Sequence, residues 1–108
     1  HRIVDFTRQS FRDVLAGART FGFEHEVEYL RSQGLARGGS LENAIVVGKD
    51  RILNQEGLRY TDEFIRHKTL DCVGDLYLAG HRIEGHFTFT RPGHGINNRL
   101  LHALFAEK

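Results

Sequence analysis

The chain has 108 residues, of which 40% are hydrophobic and 27% are charged, and its 15 Lys and Arg nearly balance its 14 Asp and Glu. This composition is typical of one globular domain, so it excludes a disordered or collagen-like chain. The near-neutral charge argues against a protein that binds nucleic acid mainly by electrostatic attraction to the phosphate backbone. The apolar runs fall far short of the roughly 20 residues that span a bilayer, and the single cysteine, Cys72, cannot form an internal disulfide, as expected in a reducing cytoplasm.

The pattern of apolar, glycine and capping residues predicts short strands and helices that are mixed along the chain. In the first part of the chain we predict a strand at Arg2–Phe6, a helix at Gln9–Ala18 capped by Thr7, a turn at Gly22, and a helix at Glu26–Gln33 closed by Gly34. A strand pair at Ala44–Val47 and Arg51–Asn54 should follow. The rest of the chain should form a long helix at Asp62–Ala79 ending at Gly80, a half-buried strand at His81–Thr90, and a last helix at Ile96–Phe105. This order predicts an α+β fold, in which a small mixed or antiparallel sheet packs against helices in a two-layer sandwich.

The long predicted helix carries a polar seam along one side. At about 100° per residue, one arc of roughly 100° contains His67, Lys68, Asp71 and Asp75, with Gly74 at its margin. Because His67 and Asp71 lie one helical turn apart, both can reach a single point beside the helix, and their nitrogen and oxygen donors suit Zn²⁺ or another first-row metal. The same spacing is also that of ordinary solvated neighbours with surface ion pairs, so the spacing alone leaves both interpretations open.

His94 lies in a different setting from the other six histidines of the chain. It belongs to a tight glycine-flanked turn, Pro92-Gly93-His94-Gly95, just before the last predicted helix. A histidine exposed in such a turn can donate a proton, stabilise an anion or bind a metal, or it can merely cap the helix. The residues alone do not choose between these roles.

The run Asp62–Leu76 resembles a signature of the UDP-3-O-acyl-N-acetylglucosamine deacetylase family, zinc amidases that commit Gram-negative bacteria to lipid A synthesis. Further stretches agree in the family's order and with similar gaps: Ala18–Phe23, Gly38–Ser40 with Ala44–Val47, and Gly93-His94 with Asn97–Leu101. The resemblance covers most of the chain. It implies that residues 1–108 form one domain, the second and C-terminal domain of a cytoplasmic zinc deacetylase that releases acetate from its UDP-linked, 3-O-acylated substrate.

The resemblance also implies a role for each matching polar residue. His67 and Asp71 would be two of the three zinc ligands, and Lys68 would hold the anionic groups of the nucleotide sugar. His94 would be protonated, so that it stabilises the oxyanion or passes a proton to the leaving amine. Asp75 would pair with His94, orient it and raise its pKa by its opposite charge.

On the substrate side, the resemblance implies that Thr20 donates a hydrogen bond to the tetrahedral oxygen opposite the metal. In the family, an inserted β-α-β-like subdomain, here at about residues 23–47, forms a hydrophobic passage for the 3-O-acyl chain. The residues at its lining positions would be Phe21, Val27, Ala36, Gly39, Ser40 and Val46. At Gly39, added bulk would limit the length of the acyl chain.

One part of the family's pattern has no counterpart here. The third zinc ligand, a histidine, and the general base, a glutamate, belong to the family's first domain, and no matching motif appears before Ala18. The chain also contains no methionine. We therefore expect a piece of a longer protein, a monomer that works with an N-terminal domain and that alone binds zinc weakly and hydrolyses nothing.

Two alternatives belong to other functional classes. One is a non-catalytic module of the same fold that binds acyl or nucleotide-sugar groups. The other is a small RNA-binding α+β domain, which fold analogy alone would support. The near-neutral charge and the carboxylates of the polar seam count against RNA, so we expect no nucleic-acid partner.

Overall fold

The computed structural model describes residues 2–106. Its elements are α1 (Arg8–Ser10) followed by a π-helical turn (Phe11–Leu15), β1 (Phe21–Phe23), α2 (Glu24–Ser32), β2 (Ile45–Val47), α3 (Glu63–Tyr77) and α4 (His94–Ala106). Helices and a small two-stranded sheet confirm the α+β class. The chain forms two compact units, the first ending at His67 and the second beginning at Lys68. One domain over residues 1–108, with an inserted segment at about residues 23–47, stays a prediction.

The predicted strand at Arg2–Phe6 is wrong, because this segment has no regular secondary structure. A strand is stable only when a neighbouring strand accepts and donates along its backbone, and no strand in residues 2–106 pairs with this segment. Its side chains behave accordingly. Arg2 forms an ion pair with Asp62 in the same unit, whereas Ile3 and Phe6 are exposed.

Thr7 begins the first helix, as predicted. The Thr7 hydroxyl accepts the N–H of Ser10 at 3.0 Å, and the Ser10 hydroxyl accepts the N–H of Thr7 at 2.8 Å, which makes a reciprocal capping box. The helix then widens into the π-helical turn, where the N–H of Ala16 donates to the carbonyl of Phe11 at 2.8 Å. It ends at the fully buried Leu15, earlier than the apolar spacing predicts.

The elements β1, α2 and β2 follow one another as a β-α-β unit with parallel strands. Their register is Phe21–Ile45, Gly22–Val46 and Phe23–Val47. The turn predicted at Gly22 is wrong: this glycine has no positive φ and lies inside β1. Glycine permits a turn but does not require one, and the aromatic residues on both sides favour extended backbone. On β2, Ile45 is fully buried and anchors the pair in the core of the first unit.

The strand pair predicted at Ala44–Val47 and Arg51–Asn54 is reduced to β2 and a single antiparallel bridge between Val47 and Ile52. The buried side chain of Asn54 forms hydrogen bonds with backbone groups that no second strand in residues 2–106 pairs with here. Its Oδ1 accepts the N–H of Val46 at 2.9 Å, and its Nδ2 donates to two backbone carbonyls of the preceding loop at 2.7 and 2.9 Å. A buried amide thus closes this edge of the sheet where further backbone pairing stops.

A buried ion pair locks the first turn of α3. The fully buried Glu63 carboxylate accepts the backbone N–H and the Nε–H of Arg19, each at 2.9 Å, and the backbone N–H of Arg59 at 2.7 Å. Burial alone would raise the pKa of Glu63, but the hydrogen bonds from Arg19 and Arg59 outweigh it and lower this pKa to about 2. Since Arg19 precedes Thr20, the same carboxylate also fixes the backbone that leads into β1.

In the second unit, α3 ends near Gly80, whose φ of 72° is the left-handed conformation that closes many helices. The helix predicted at Ile96–Phe105 is confirmed and begins earlier, at His94. Its first turn is closed by the N–H of Asn97, which donates to the carbonyl of Gly93 at 2.9 Å. Among residues 68–106 of this unit, the buried side chains are Cys72, Asn97 and Leu101.

The strand predicted at His81–Thr90 is also wrong, since these residues have no regular secondary structure. Alternating apolar residues form a strand only where another strand supplies backbone partners, and none in the described part of the chain pairs with them. Phe87 instead stacks on Phe89, with ring centroids 6.0 Å apart. Among residues 2–106, every helix is too short or too polar to cross a membrane.

Candidate active site

Asp75 on α3 and His94 at the start of α4 meet in the second unit. The Nδ1 atom of His94 lies 2.7 Å from Oδ2 of Asp75. The side chain of Asp75 is 14% exposed, whereas that of His94 is 68% exposed, so the carboxylate is enclosed and the imidazole reaches solvent. The hydrogen bond to Asp75 and the negative charge of Asp75 raise the pKa of His94 above its ordinary value. The ring therefore keeps its second proton, on Nε2, to a higher pH than an unpaired histidine would.

Behind this pair lies Asn97, a residue to which the sequence pattern assigns no role. Its side chain is buried, and its Nδ2 donates to the same Oδ2 atom of Asp75 at 2.9 Å. The sulfur of Cys72 lies 3.6 Å from that nitrogen, and burial raises the pKa of the Cys72 thiol, which keeps it uncharged. The signal that could have found Asn97 is its helical spacing: it lies three residues after His94, so both side chains reach the same face of α4.

Lys68, on the same unit, is tied to the turn that precedes His94. Its Nζ donates to the backbone carbonyl of Pro92 at 2.8 Å. This bond joins α3 to the turn and restrains the backbone from which His94 projects. The role that the resemblance implies for Lys68, holding the anionic groups of a nucleotide sugar, stays a prediction.

His67 is the last residue of the first unit and is half-buried on α3. Its Nδ1 lies 3.2 Å from the carbonyl oxygen of Ala18, and the ring of Phe21 stands edge-on to it with centroids 6.4 Å apart. Since a carbonyl oxygen only accepts, Nδ1 must carry the proton and the lone pair of a neutral ring is on Nε2. This is the tautomer and the backbone support that metal-binding histidines commonly have.

Asp71 is half-buried on α3, one turn beyond His67 along the helix. An imidazole with its lone pair on Nε2 and a carboxylate are a donor set that fits Zn²⁺ chemically. Within residues 2–106, no group of three or more His, Cys, Asp or Glu side chains is arranged to hold a metal ion. The two predicted ligands, His67 and Asp71, are one fewer than the three protein ligands that a catalytic zinc usually has.

Thr20 and three of the predicted passage residues lie in or beside the β-α-β unit. Thr20 is exposed, and its carbonyl accepts the N–H of Ile45 at 2.9 Å. Phe21 is half-buried and packs edge-on against Phe64 of α3, with centroids 4.7 Å apart. Val27 and Val46 are also half-buried, and Val27 lies so close to Gly22 that a side chain there would meet its Cγ2 at 3.2 Å.

The other three predicted passage residues lie in the loop that joins α2 to β2. Ala36 and Ser40 are exposed, and Gly39 is half-buried. Ala36 has a positive φ of 55°, and its carbonyl accepts the N–H of Gly39 at 3.3 Å. Ser40 starts the next turn, where its N–H donates to Oδ1 of Asn43 at 2.8 Å. These three residues thus shape the loop backbone, whereas Phe21, Val27 and Val46 pack within the unit.

Fold and site together define an α+β protein whose exposed histidine is oriented by an enclosed carboxylate, an arrangement suited to proton transfer. Residues 1–106 match the model of the UDP-3-O-acyl N-acetylglycosamine deacetylase family, and the chain belongs to that family. This confirms the family that the sequence motifs resemble.

Curated relatives named UDP-3-O-acyl-N-acetylglucosamine deacetylase are similar over almost the whole chain. The protein from Acidithiobacillus ferrooxidans is 61% identical over 105 residues, which are 97% of this chain and 34% of the relative. The protein from Chromobacterium violaceum is 57% identical over 94% of this chain and 33% of its own length. The protein from Tolumonas auensis is 54% identical over 99% of this chain and 35% of its own length. The chain thus spans about a third of the length of these relatives.

Proposed function

We propose that this chain supplies one part of the active site of a cytoplasmic, zinc-dependent deacetylase of Gram-negative bacteria. Its reaction would be hydrolysis of the N-acetyl group of UDP-3-O-acyl-N-acetylglucosamine, with release of acetate, in lipid A biosynthesis. The substrate follows from the names of the relatives. The observation that carries the proposal is the hydrogen bond between Asp75 and His94, because it equips an exposed imidazole to act as an acid.

His67 and Asp71 would hold the metal through Nε2 and a carboxylate oxygen. The chemistry that zinc would supply at these two residues is polarisation of the amide carbonyl and a lower pKa for a water molecule. The third ligand, a histidine, and the general base, a glutamate, would come from an N-terminal domain of the same protein. Support for this division comes from the relatives, about two thirds of whose length lies outside the match.

His94 would act on the oxygen and nitrogen of the scissile amide. An amine anion is a poor leaving group, so the nitrogen must receive a proton as the C–N bond breaks. Asp75 raises the pKa of His94 and so favours its protonated form, which would stabilise the oxyanion with its positive charge and pass its Nε2 proton to that nitrogen. The hydroxyl of Thr20 would donate to the same oxyanion.

The remaining residues would bind the two ends of the substrate. Lys68 would turn its ammonium group to the anionic groups of the nucleotide, since a flexible cation suits a phosphate oxygen. The 3-O-acyl chain would lie along Phe21, Val27, Ala36, Gly39, Ser40 and Val46. The half-buried apolar side chains of this set support the assignment, and Gly39 would limit chain length if a side chain were added there.

The proposal is tested by two histidine variants of the full-length protein. His67→Ala should lower zinc content and turnover together, because it removes a ligand. His94→Ala should keep its zinc and lose about 10²–10⁴-fold in kcat, the usual contribution of a positioned acid. Metal content is measured by atomic emission and turnover by acetate release, with His102→Ala, an exposed histidine of α4, as the control.

Unchanged turnover in His94→Ala would rule out its assigned role. A wild-type protein that binds the nucleotide sugar without hydrolysing it would instead favour the non-catalytic module.

A further inference from the structure

One oxygen atom of Asp75 receives two hydrogen bonds from α4. His94 approaches Oδ2 from the solvent side at 2.7 Å, and Asn97 approaches the same atom from the buried side at 2.9 Å. The Asn97 residue is 1% exposed, whereas the His94 side chain is 68% exposed. The carboxylate therefore has one exposed partner, His94, and one buried partner, Asn97.

The orientation of the Asn97 amide follows from the chemistry of its neighbours. A carboxylate can only accept, so the Nδ2 end must face Asp75 and the Oδ1 end must face away. The sulfur of Cys72 lies beside the amide and supplies only a weak partner. The Asn97 backbone is itself fixed in the first turn of α4 by its hydrogen bond to Gly93. The bond to Asp75 is thus the strong, directional interaction of this buried side chain.

A carboxylate that is not held can rotate about its side-chain torsions and leave an exposed imidazole without a partner. We propose that Asn97 is a positioning residue that fixes the Asp75 carboxylate in the orientation in which it accepts the proton of His94. The proposal rests on the proposed function for its effect on turnover, but its structural content, an Asp75 held for His94, does not depend on the substrate. Asn97 acts through Asp75 and touches no reacting atom.

The first test is turnover in the full-length protein. Asn97→Leu removes the donor but keeps the number and branching of the side-chain heavy atoms, and we expect kcat to fall by about 10-fold, in the range seen for supporting partners of functional residues, while KM stays within about twofold. Asn98→Leu is the matched control, since Asn98 is the adjacent exposed asparagine on the same helix. Because Asn97 acts through Asp75, adding Asn97→Leu to Asp75→Asn should cause little further loss.

The second test is the titration of His94, followed by NMR of ¹³Cε1-labelled histidines in the full-length protein. The charged groups that act on His94 are Asp75 and Asp71, which raise its pKa, and Lys68, which lowers it. Freeing the Asp75 carboxylate should lower the pKa of His94, and the alkaline limb of the kcat/KM profile should move to lower pH with it. Asp75→Asn should lower this pKa further.

The outcomes separate a positioning role for Asn97 from a purely structural one. A folded Asn97→Leu protein in which His94 titrates as in the wild type would overturn the positioning role. Asn97→Ser provides a second variant, and if neither variant folds, Asn97 is a structural residue and the proposal fails. A wild-type protein that does not hydrolyse the nucleotide sugar would contradict the proposed function, while the NMR titration would still decide the role of Asn97.

Discussion

Glu63 is a buried carboxylate whose ionisation should govern the acid stability of the first unit. An ordinary glutamate has a pKa of about 4.3, whereas the hydrogen bonds from Arg19 and Arg59 outweigh the cost of burial and lower that of Glu63 to about 2. A group whose pKa is lower in the folded state stabilises the fold above its unfolded pKa, and this contribution disappears as the pH falls through the folded pKa. Glu63 should therefore contribute on the order of 3 kcal/mol at neutral pH, lost progressively between about pH 4 and pH 2.

The variant Glu63→Gln tests this directly. It replaces the charged acceptor with an amide that faces the donors of Arg19, so we expect the free energy of unfolding to fall by roughly 2–4 kcal/mol at neutral pH. Because the glutamine cannot be protonated in this range, the free energy of unfolding of the variant should fall less than that of the wild type when the pH is lowered from about 4 to about 2. Urea unfolding at several pH values measures both effects. The control is Glu28→Gln on the exposed side of α2, and a variant as stable as this control would show that the buried pair is not stabilising.

At this scale, prediction from the sequence succeeds where the partners lie on recognised motifs. The contact between Asp75 and His94 was expected from the resemblance and is present in the structure. The contact between Arg19 and Glu63 was not, because it joins residues far apart in sequence and an arginine offers no signal of which carboxylate it will meet. Asn97 was missed although its spacing of three residues from His94 places it on the same face of α4, because that spacing does not show that the side chain is buried or which carboxylate it meets.

At the scale of one element, helix α3 contains Gly74, a glycine at a position where the surrounding atoms leave room for a side chain. A side chain at Gly74 would meet no heavy atom of a neighbouring group within 4 Å, and Gly74 is exposed in the interior of the helix. Gly74→Ala should therefore raise the free energy of unfolding by about 0.5–1 kcal/mol, because alanine loses less backbone entropy in a helix. Thermal or urea unfolding of the protein measures the change.

Gly80→Ala is the matched control for this experiment. A side chain there would also meet open space, but the φ of 72° is unfavourable for any residue with a Cβ. We expect this variant to lose about 1 kcal/mol. If Gly74→Ala destabilises the full-length protein instead of stabilising it, the added methyl group must meet a part of the molecule outside residues 2–106. Gly74 lies at the margin of the polar seam of α3, where such a part could approach the helix.

The helices were predicted better than the strands, of which the one predicted at Ala44–Val47 is present as β2 (Ile45–Val47), and the reason is physical. The caps and spacings that define α3 and α4 are local, so Gly80 and the apolar positions of these helices carry the information themselves. A strand depends on a partner elsewhere in the chain. The segments Arg2–Phe6 and His81–Thr90 have strand-like composition, but no strand in the described residues pairs with them.

For the whole molecule, the central fact is that the predicted zinc ligands are two, whereas a catalytic zinc usually has three protein ligands. A zinc site with fewer protein ligands binds the metal more weakly. The relatives are about three times as long as this chain, so their remaining length could supply a further ligand. If the missing ligand and base come from elsewhere in the protein, zinc affinity and turnover should depend on the full length. The family and the α+β class could be predicted from the sequence because their motifs lie within the chain, but a site completed by other residues could not be located from it.

We therefore expect the 108-residue chain alone to bind Zn²⁺ at least about 100-fold more weakly than the full-length protein and to release no acetate from the nucleotide sugar. Circular dichroism checks first that the isolated chain retains its helices, and competition with a chromophoric chelator then measures zinc affinity for both proteins. In the isolated chain, His67→Ala should abolish the remaining weak binding, whereas His102→Ala should leave it unchanged. Tight zinc binding by the isolated chain would show that its own residues complete the site and would contradict the proposed division of ligands.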